Sequence, residues 1–100
     1  MNIVKLNGGK VELRKNTGLL IRTIVSSGAV DADINNDGSL IVVTTEKGKV
    51  ELRKESGLLV RTIASNHALS AKFSGSEILV NTDKGKTELR KESGLLIRTI

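Results

Sequence analysis

The sequence has no cysteine, no proline, no tryptophan and no tyrosine, and its one phenylalanine is Phe73. Without cysteine the chain can form neither a disulfide nor a thiolate metal site, and it has no cysteine nucleophile. With only one Phe and no Trp or Tyr, it lacks the repeated stacking platforms on which single-stranded nucleic acids and many sugars are held. The core must therefore be built from leucine, isoleucine and valine, which suits β-strands packed face to face.

Long apolar runs are missing as well. No stretch approaches the roughly eighteen residues of a membrane span, and residues 1–6 are too short and too polar for a signal peptide. We therefore expect a chain that is neither membrane-inserted nor exported, located in the cytoplasm or in a virion. Near-identical repeats in a chain of this size would suit an accessory protein of a phage or another mobile element.

One segment is repeated three times along the chain. Residues 9–24 read GKVELRKNTGLLIRTI, residues 48–63 read GKVELRKESGLLVRTI, and residues 85–100 read GKTELRKESGLLIRTI. The three copies align without gaps, and the last two agree at 14 of 16 positions. Self-similarity at a period of about forty residues indicates a repeat architecture.

Each complete unit reads as four short extended segments separated by glycine-containing turns, the pattern of a β-meander. No window shows the periodicity of a helix. The predicted strands of the middle unit are residues 29–34, 40–45, 49–54 and 58–63. The chain is therefore predicted to be all-β, a single repeat domain over residues 1–100 with a partial unit at 1–24 and complete units at 25–63 and 64–100.

Four strands in a unit of about forty residues is the layout of a β-propeller blade, and this unit resembles the WD-repeat type. Residues 35–38 sit where that family has its Ser-Pro-Asp-Gly turn, residues 50–53 where it has its Trp-Asp strand, and Asn66-His67 where it has Gly-His. Leu-Arg replaces the Trp-Asp pair in all three copies, and His67 occurs only once. The resemblance implies a propeller-like fold, without the family's His–Asp hydrogen-bond network.

The strand count predicted for the three units is three, four and four, or about 2.75 blades, because residues 3–6 align with the second strand of the next unit. Propellers use four to eight blades, so one chain cannot close a ring, whereas two chains would supply six blades. We therefore expect a homo-oligomer, with a head-to-tail dimer favoured because it buries the apolar faces of both end blades. A β-solenoid or β-sandwich built from the same hairpins is the alternative fold.

The acidic and amide side chains of residues 31–38 are candidates for a calcium site, because Asp33, Asn35 and Asp37 can converge their oxygens on the ion. The closing carboxylate is absent, since Thr44 stands where a calcium loop has glutamate. An Asx-rich hairpin turn explains the same residues by turn chemistry alone. The turn is the favoured interpretation, the metal site is its alternative, and no cofactor is expected.

His67 is the only side chain that titrates near neutrality, and it lies in the connection between two units. No second catalytic group stands at a recognisable spacing, so a histidine that caps a loop hydrogen bond is favoured over a general base. Propellers present ligands on the turns around the channel mouth. We therefore predict that ligand or partner contacts involve Asp31, Asp33, Asn66 and His67.

Two arginines recur in each unit, and the first of them is followed by a lysine. Together these residues would form a symmetric basic girdle on a chain of net charge +5. Such a girdle can contact a polyanion or an acidic protein, which makes the first arginine of each unit a further contact candidate: Arg14, Arg53 and Arg90. A glutamate lies two residues before each of them, and cross-strand Glu–Arg pairing on a solvated face would need the same residues.

These patterns favour a non-enzymatic, self-assembling module that binds or scaffolds a protein partner. An enzyme would need a convergent acid, base or nucleophile set, yet Asp31 and Asp33 are replaced by Ser70 and Lys72 in the next unit. The alternative is a lectin-like carbohydrate-binding module or a polyanion-binding module. Nucleic acid is not an expected partner, because the chain has no stacking platforms.

Overall fold

Eleven β-strands make up the structure, a computed structural model that describes all of residues 1–100. They form three antiparallel sheets, in which strands consecutive in sequence are neighbours. Sheet A contains β1 (Asn2–Asn7), β2 (Lys10–Lys15) and β3 (Leu20–Val25). Sheet B contains β4 (Ala29–Ile34), β5 (Leu40–Thr45), β6 (Val50–Lys54) and β7 (Leu59–Ala64). Sheet C contains β8 (Ala68–Ser74), β9 (Glu77–Thr82), β10 (Thr87–Lys91) and β11 (Leu96–Thr99).

The predicted all-β chain with three, four and four strands is confirmed. The strands predicted at residues 49–54 and 58–63 are observed as β6 and β7, each beginning one residue later. Lys49 and Leu58 belong to the preceding turns, where their carbonyl oxygens accept hydrogen bonds from the N–H groups of Thr45 (2.8 Å) and Lys54 (2.9 Å). No segment forms a helix of the length and apolarity that crossing a membrane requires.

Sheet B lies between the other two sheets and is covered on both faces. Successive residues of a strand point to opposite faces of the sheet. Ile41 and Val43 of β5 accordingly pack towards sheet A, with Val11 and Leu13, whereas the side chain of Val42 packs towards sheet C. The core therefore consists of two apolar layers, one on each side of sheet B.

The inner edges of the sheets meet at strands β1, β4 and β8. β4 contacts β1 on one side and β8 on the other, without forming a continuous hydrogen-bonded sheet with either. Three sheets packed side by side are consistent with the predicted propeller-like blades. One chain closes neither a ring nor a barrel, so the closure expected from a second copy is not part of this structure.

The β5–β6 turn packs directly on the connection between sheets B and C, and this contact positions the site described below. Gly48 has φ 80°, and a Cβ atom at this position would lie 2.7 Å from the backbone nitrogen of His67. The carbonyl oxygen of Gly48 accepts a hydrogen bond from Ala68 N at 2.9 Å. Any side chain here would force the two segments apart, so glycine is required.

Candidate functional site

A pocket of about 260 Å³ opens beside the connection between β7 and β8. It is bounded by this connection, by the β9–β10 turn and by strand β10. We call it the His67 pocket, and only one of its nine lining residues, Ala64, is apolar. The polar lining residues are Ser65, Asn66, His67, Thr82, Lys84, Lys86, Glu88 and Arg90.

His67 adopts a backbone conformation that is uncommon for residues other than glycine. Its φ of 68° makes it the one non-glycine residue with positive φ, and the equivalent residue between sheets A and B is Gly28, at φ 82°. Both connections are held alike, since His67 O accepts from Asp83 N and Gly28 O accepts from Glu46 N, each at 2.8 Å. Histidine thus occupies a glycine position, at a cost of about 1 kcal/mol in backbone strain.

The carboxylate of Asp83 fixes the imidazole ring of His67. The Nδ1 atom lies 3.2 Å from one carboxylate oxygen and 3.3 Å from the other. An ionised carboxylate only accepts hydrogen bonds, so Nδ1 carries the proton and donates. The Nε2 atom has no protein partner and is available to a ligand. The predicted loop contact of His67 is therefore present, and it leaves one ring nitrogen free.

The positive charge available in the pocket comes from Lys84 and Lys86. Neither lysine takes part in an ion pair, and both are exposed. Arg90 is committed elsewhere, because its Nη2 pairs with Glu88 at 3.0 Å and its Nη1 donates to the carbonyl oxygens of Gly94 (2.8 Å) and Ile63 (3.3 Å). The charges of Arg90 and Glu88 thus cancel on one side of the pocket, beside the two unpaired ammonium groups of Lys84 and Lys86.

The three arginines predicted to form a girdle share one local geometry. Each pairs with the glutamate two residues earlier in the same strand, with nitrogen–oxygen distances of 2.9 Å for Arg14, 3.0 Å for Arg53 and 3.0 Å for Arg90. Each also donates to the carbonyl oxygen of the glycine in the following turn. The expected cross-strand Glu–Arg pairing is wrong, since residues two apart on one strand share a face and reach each other directly. Of the three, only Arg90 lines the pocket.

Asp31 and Asp33 lie outside the pocket and join sheets B and C. The carboxylate of Asp33 accepts a hydrogen bond from the backbone N–H of Phe73 at 2.9 Å, and that of Asp31 accepts from Ala71 N at 3.3 Å. Two strand-β4 carboxylates thus satisfy backbone donors on the unpaired edge of β8. Of the four loop and strand residues predicted for ligand contact, the structure brings Asn66 and His67 together and places the two aspartates elsewhere.

The turn after β4 has the geometry of an Asx-rich hairpin turn. Asp37 Oδ1 accepts from the Ser39 hydroxyl at 2.5 Å and from Ser39 N at 3.0 Å, while Asn35 Oδ1 accepts from Leu40 N at 3.0 Å. The Ser39 hydroxyl, followed by the Ser39 N–H, lowers the pKa of the Asp37 carboxyl from its usual value. Turn chemistry is therefore sufficient to explain Asn35 and Asp37. The carboxylate of Asp33 contacts β8 instead, where it accepts from Phe73 N.

Four polar residues of the pocket were not predicted from the sequence: Ser65, Thr82, Lys84 and Lys86. The two lysines are repeated as Lys47 and Lys49 in the preceding unit, so nothing in their own sequence sets them apart. The signal that distinguishes the later pair is the replacement of Ser27-Gly28 by Asn66-His67 in the adjoining connection. A comparison of the two connections, rather than of the repeated segments, would have found it.

No protein-family model matches this chain, and no curated protein matches its sequence. What the pocket can do therefore follows from its own chemistry. A polar cavity with two free ammonium groups, a free imidazole nitrogen and uncharged hydrogen-bonding groups is suited to holding an anionic, hydrophilic molecule.

Proposed function

We propose that the protein is a non-enzymatic, self-assembling module of propeller-like blades that a second copy closes head to tail, and that it binds or scaffolds a partner protein. The observation that supports this proposal is the apolar outer face of sheet C, which is uncovered. The same face is covered in sheets A and B. The chain thus contains two internal examples of the contact that a second copy would make.

The outer face of sheet C repeats side chains that are packed in the other two sheets. Ile63 of sheet B and Ile24 of sheet A are 3% and 6% exposed, but the equivalent Ile100 is 71% exposed. Leu52 is 2% exposed, whereas Leu89 is half-buried. The apolar residues on the outer face of sheet C are the half-buried Leu79, Leu89 and Ile97 and the exposed Ile100.

The outer face of sheet A is the natural counterpart of this set. Its Ile3 occupies the position of Ile41 in sheet B and Ile78 in sheet C, both of which are fully buried against the preceding sheet, but Ile3 is 42% exposed. Lys5 stands where Val43 is buried in sheet B. A lysine can lay its aliphatic stem on an apolar surface while its ammonium group stays in water. A sheet A from a second copy can therefore cover sheet C as sheet B covers sheet A.

Closure by two copies is favoured over a longer array because it forms two contacts for one association. Full burial of an isoleucine or leucine side chain stabilises by roughly 1.5–3 kcal/mol. Bringing two molecules together costs about 4–15 kcal/mol in lost freedom of motion. A head-to-tail ring of two chains forms two contacts between a sheet A and a sheet C, whereas an open pair forms one. Because both arrangements lose the same freedom of motion on association, the closed pair is more stable.

The test is to introduce one charge on each outer face and measure mass by light scattering. We expect the unmodified protein at twice 10.7 kDa, and Ile3→Lys and Ile100→Lys each at 10.7 kDa. An equimolar mixture of the two variants should recover a dimer, because each retains the face that the other has lost. Leu58→Lys is the matched control, since Leu58 is 61% exposed on the outer turn of the middle sheet and should not affect the mass.

Two results would overturn the proposal. A monomer at every concentration of the unmodified protein would remove the basis for closure by a second copy. A dimer that survives Ile3→Lys but not Ile100→Lys would mean that two sheet C faces pair with each other, so that the head-to-tail arrangement is wrong.

A further inference from the structure

We infer that the His67 pocket binds a small hydrophilic phosphate monoester, such as a sugar phosphate, and holds its phosphate group between Lys84, Lys86 and the free nitrogen of His67. This inference goes beyond the proposed assembly, because the pocket is built entirely within one chain. It requires neither the outer faces of sheets A and C nor a second copy.

The charge of the pocket matches a phosphate group. Lys84 and Lys86 flank Gly85 on the β9–β10 turn, and neither ammonium group has an acidic partner. The one carboxylate in the lining, that of Glu88, is neutralised by Arg90 at 3.0 Å. A phosphate monoester carries between one and two negative charges near neutral pH, and ammonium groups are strong donors to its oxygens.

The turn that carries both lysines is held in place before any ligand arrives. Thr82 Oγ1 donates to the carbonyl oxygen of Lys86 at 3.1 Å and accepts from Lys86 N at 3.3 Å. Asp83 N donates to His67 O, which ties this turn to the connection opposite. The two sides of the pocket are therefore joined by hydrogen bonds rather than brought together by the ligand, which lowers the entropic cost of binding.

The rest of the lining favours a polyol over a base or an acyl chain. Ser65 and Asn66 offer a hydroxyl and an amide that make no hydrogen bond within the protein. Ala64 is the only apolar member, and the pocket contains no Phe, Tyr or Trp. The imidazole of His67 and the guanidinium of Arg90 are its largest flat groups, so it offers a nucleobase no broad apolar platform. A volume of about 260 Å³ lies just below the range typical of sites for drug-sized ligands, which suits a smaller molecule.

The backbone of His67 is an independent indication that this side chain has a role. The equivalent position is glycine in the preceding connection, and glycine would adopt the same φ without strain. Non-glycine residues that the surrounding structure holds at positive φ cluster at active sites and ligand clamps. Asp83 accepts from Nδ1 and so orients the ring. This leaves Nε2 to accept a hydrogen bond from a singly protonated phosphate, or to donate one to a phosphate oxygen when both ring nitrogens carry protons.

The preceding connection supplies an internal control with the same lysines and a different loop. Lys47 and Lys49 correspond to Lys84 and Lys86, but Ser27-Gly28 stands in place of Asn66-His67. No pocket forms at that connection. Binding that depends on the assembled pocket must therefore distinguish the two lysine pairs, whereas binding by general positive charge must treat them alike.

The experiment is a titration of the folded protein, followed by amide chemical shifts, with glucose 6-phosphate, inorganic phosphate and glucose as separate probes. We expect glucose 6-phosphate to shift residues 65–67 and 82–86, inorganic phosphate to shift the same residues more weakly, and glucose to shift none. Lys84→Met with Lys86→Met should weaken binding about a hundredfold, and Lys47→Met with Lys49→Met by less than about twofold.

His67→Gly tests the histidine without endangering the fold, because glycine already serves at the equivalent position. We expect this variant to weaken binding of glucose 6-phosphate about tenfold. An unchanged affinity would overturn the role of the ring. Equal losses from the two lysine pairs, or no binding of any probe at about 10 mM, would overturn the pocket itself.

Titration with a phosphoserine peptide tests whether the phosphate group that binds belongs to a small molecule or to a phosphorylated protein. Tighter binding of this peptide than of glucose 6-phosphate would overturn the assignment to a small molecule. Light scattering on the same samples measures the oligomeric state, so that phosphate binding and dimer formation are tested separately. Phosphate binding by a monomer would overturn the assembly alone, and a dimer without phosphate binding would overturn the pocket alone.

Discussion

The strand pairs β6–β7 and β10–β11 have nearly the same sequence but lie in different surroundings. Both carry Glu-Leu-Arg-Lys-Glu-Ser-Gly-Leu-Leu, and both form the same hairpin with the same Glu–Arg pair. Leu52 is nevertheless buried between two sheets, whereas Leu89 faces outward and is half-buried. A repeated sequence therefore determines its hairpin, while the position of that hairpin in the stack determines what the hairpin buries.

The largest effect should come from truncating the covered member of this leucine pair. Leu52→Ala is expected to lower the free energy of unfolding by about 3 kcal/mol, because it leaves a cavity between sheets B and C. Leu89→Ala should cost about 1 kcal/mol in dilute solution, since Leu89 is covered on one side only. Urea unfolding of both variants at low protein concentration checks this. Equal losses would mean that the two sheets are equally covered.

The aspartates on β4 and their counterparts on β8 provide a second contrast between the two sheets. Asp33→Ala should lower the free energy of unfolding by about 1.5 kcal/mol, because the partly buried N–H of Phe73 loses its carboxylate acceptor. Lys72→Ala, at the equivalent position of sheet C, should change it by less than about 0.5 kcal/mol, since Lys72 is exposed. Similar losses in the two variants would show that the Asp33 contact does not stabilise the inner edges.

Thr44 and Asn81 occupy equivalent positions in sheets B and C, but only the side chain of Asn81 has hydrogen-bond partners. The Thr44 hydroxyl is buried and has no hydrogen-bond partner, whereas Asn81 is exposed and pairs with Ser70 and Thr87. Thr44→Val should therefore raise the free energy of unfolding by about 1 kcal/mol. Asn81→Val should lower it slightly, because its two hydrogen bonds are lost. Thermal unfolding measures both, and a destabilised Thr44→Val would reveal a partner for the hydroxyl.

The smallest effect concerns the turn after β4, residues 35–39. It is three residues longer than the turn after β8, residues 75–76, and it alone of these two turns contains a carboxylate. Because the pKa of Asp37 is lowered in the folded protein by the Ser39 hydroxyl and N–H, its contribution is complete above about pH 4 and is lost as the pH falls through the lowered value. The contribution is small, since the carboxyl is exposed and screened by solvent.

A pH titration of the Asp37 carboxyl carbon by NMR should show a midpoint below that of a short unfolded peptide. Asp37→Asn should remove the corresponding part of the pH dependence of stability and leave the rest unchanged. A midpoint at the peptide value would mean that the Ser39 hydrogen bonds are absent in solution.

Local patterns were enough to predict the strands, because glycine turns and alternating apolar residues act within a few positions of each other. The predicted strands began one residue too early, at Lys49 and Leu58. In the structure the carbonyl oxygens of these two residues accept the hydrogen bonds that close the preceding turns, so each strand begins at the next residue. The Glu–Arg pairs were predicted from composition but assigned to the wrong geometry. The residues are two apart on one strand, so no neighbouring strand is needed.

The candidate site was only partly predictable. Asn66 and His67 stood out because they differ from Ser27-Gly28, and the structure places them together in the pocket. Asp83, Lys84 and Lys86 were not recognised, because they reach His67 only when the β9–β10 turn folds back on the connection from sheet B. Asp31 and Asp33 were expected at a binding surface, but they accept hydrogen bonds from a strand forty residues away.

The amino-acid sequence by itself determined three strand-and-turn units, the glycine positions that end each strand, and a core of branched aliphatic residues, because all of these depend on neighbours close in the chain. Only the tertiary structure decided which two of three equivalent isoleucines are buried, which lysine pair shares a pocket with a histidine, and which carboxylates face a strand edge. Those outcomes depend on how sheets stack, and three nearly identical units carry no local information about their place in the stack.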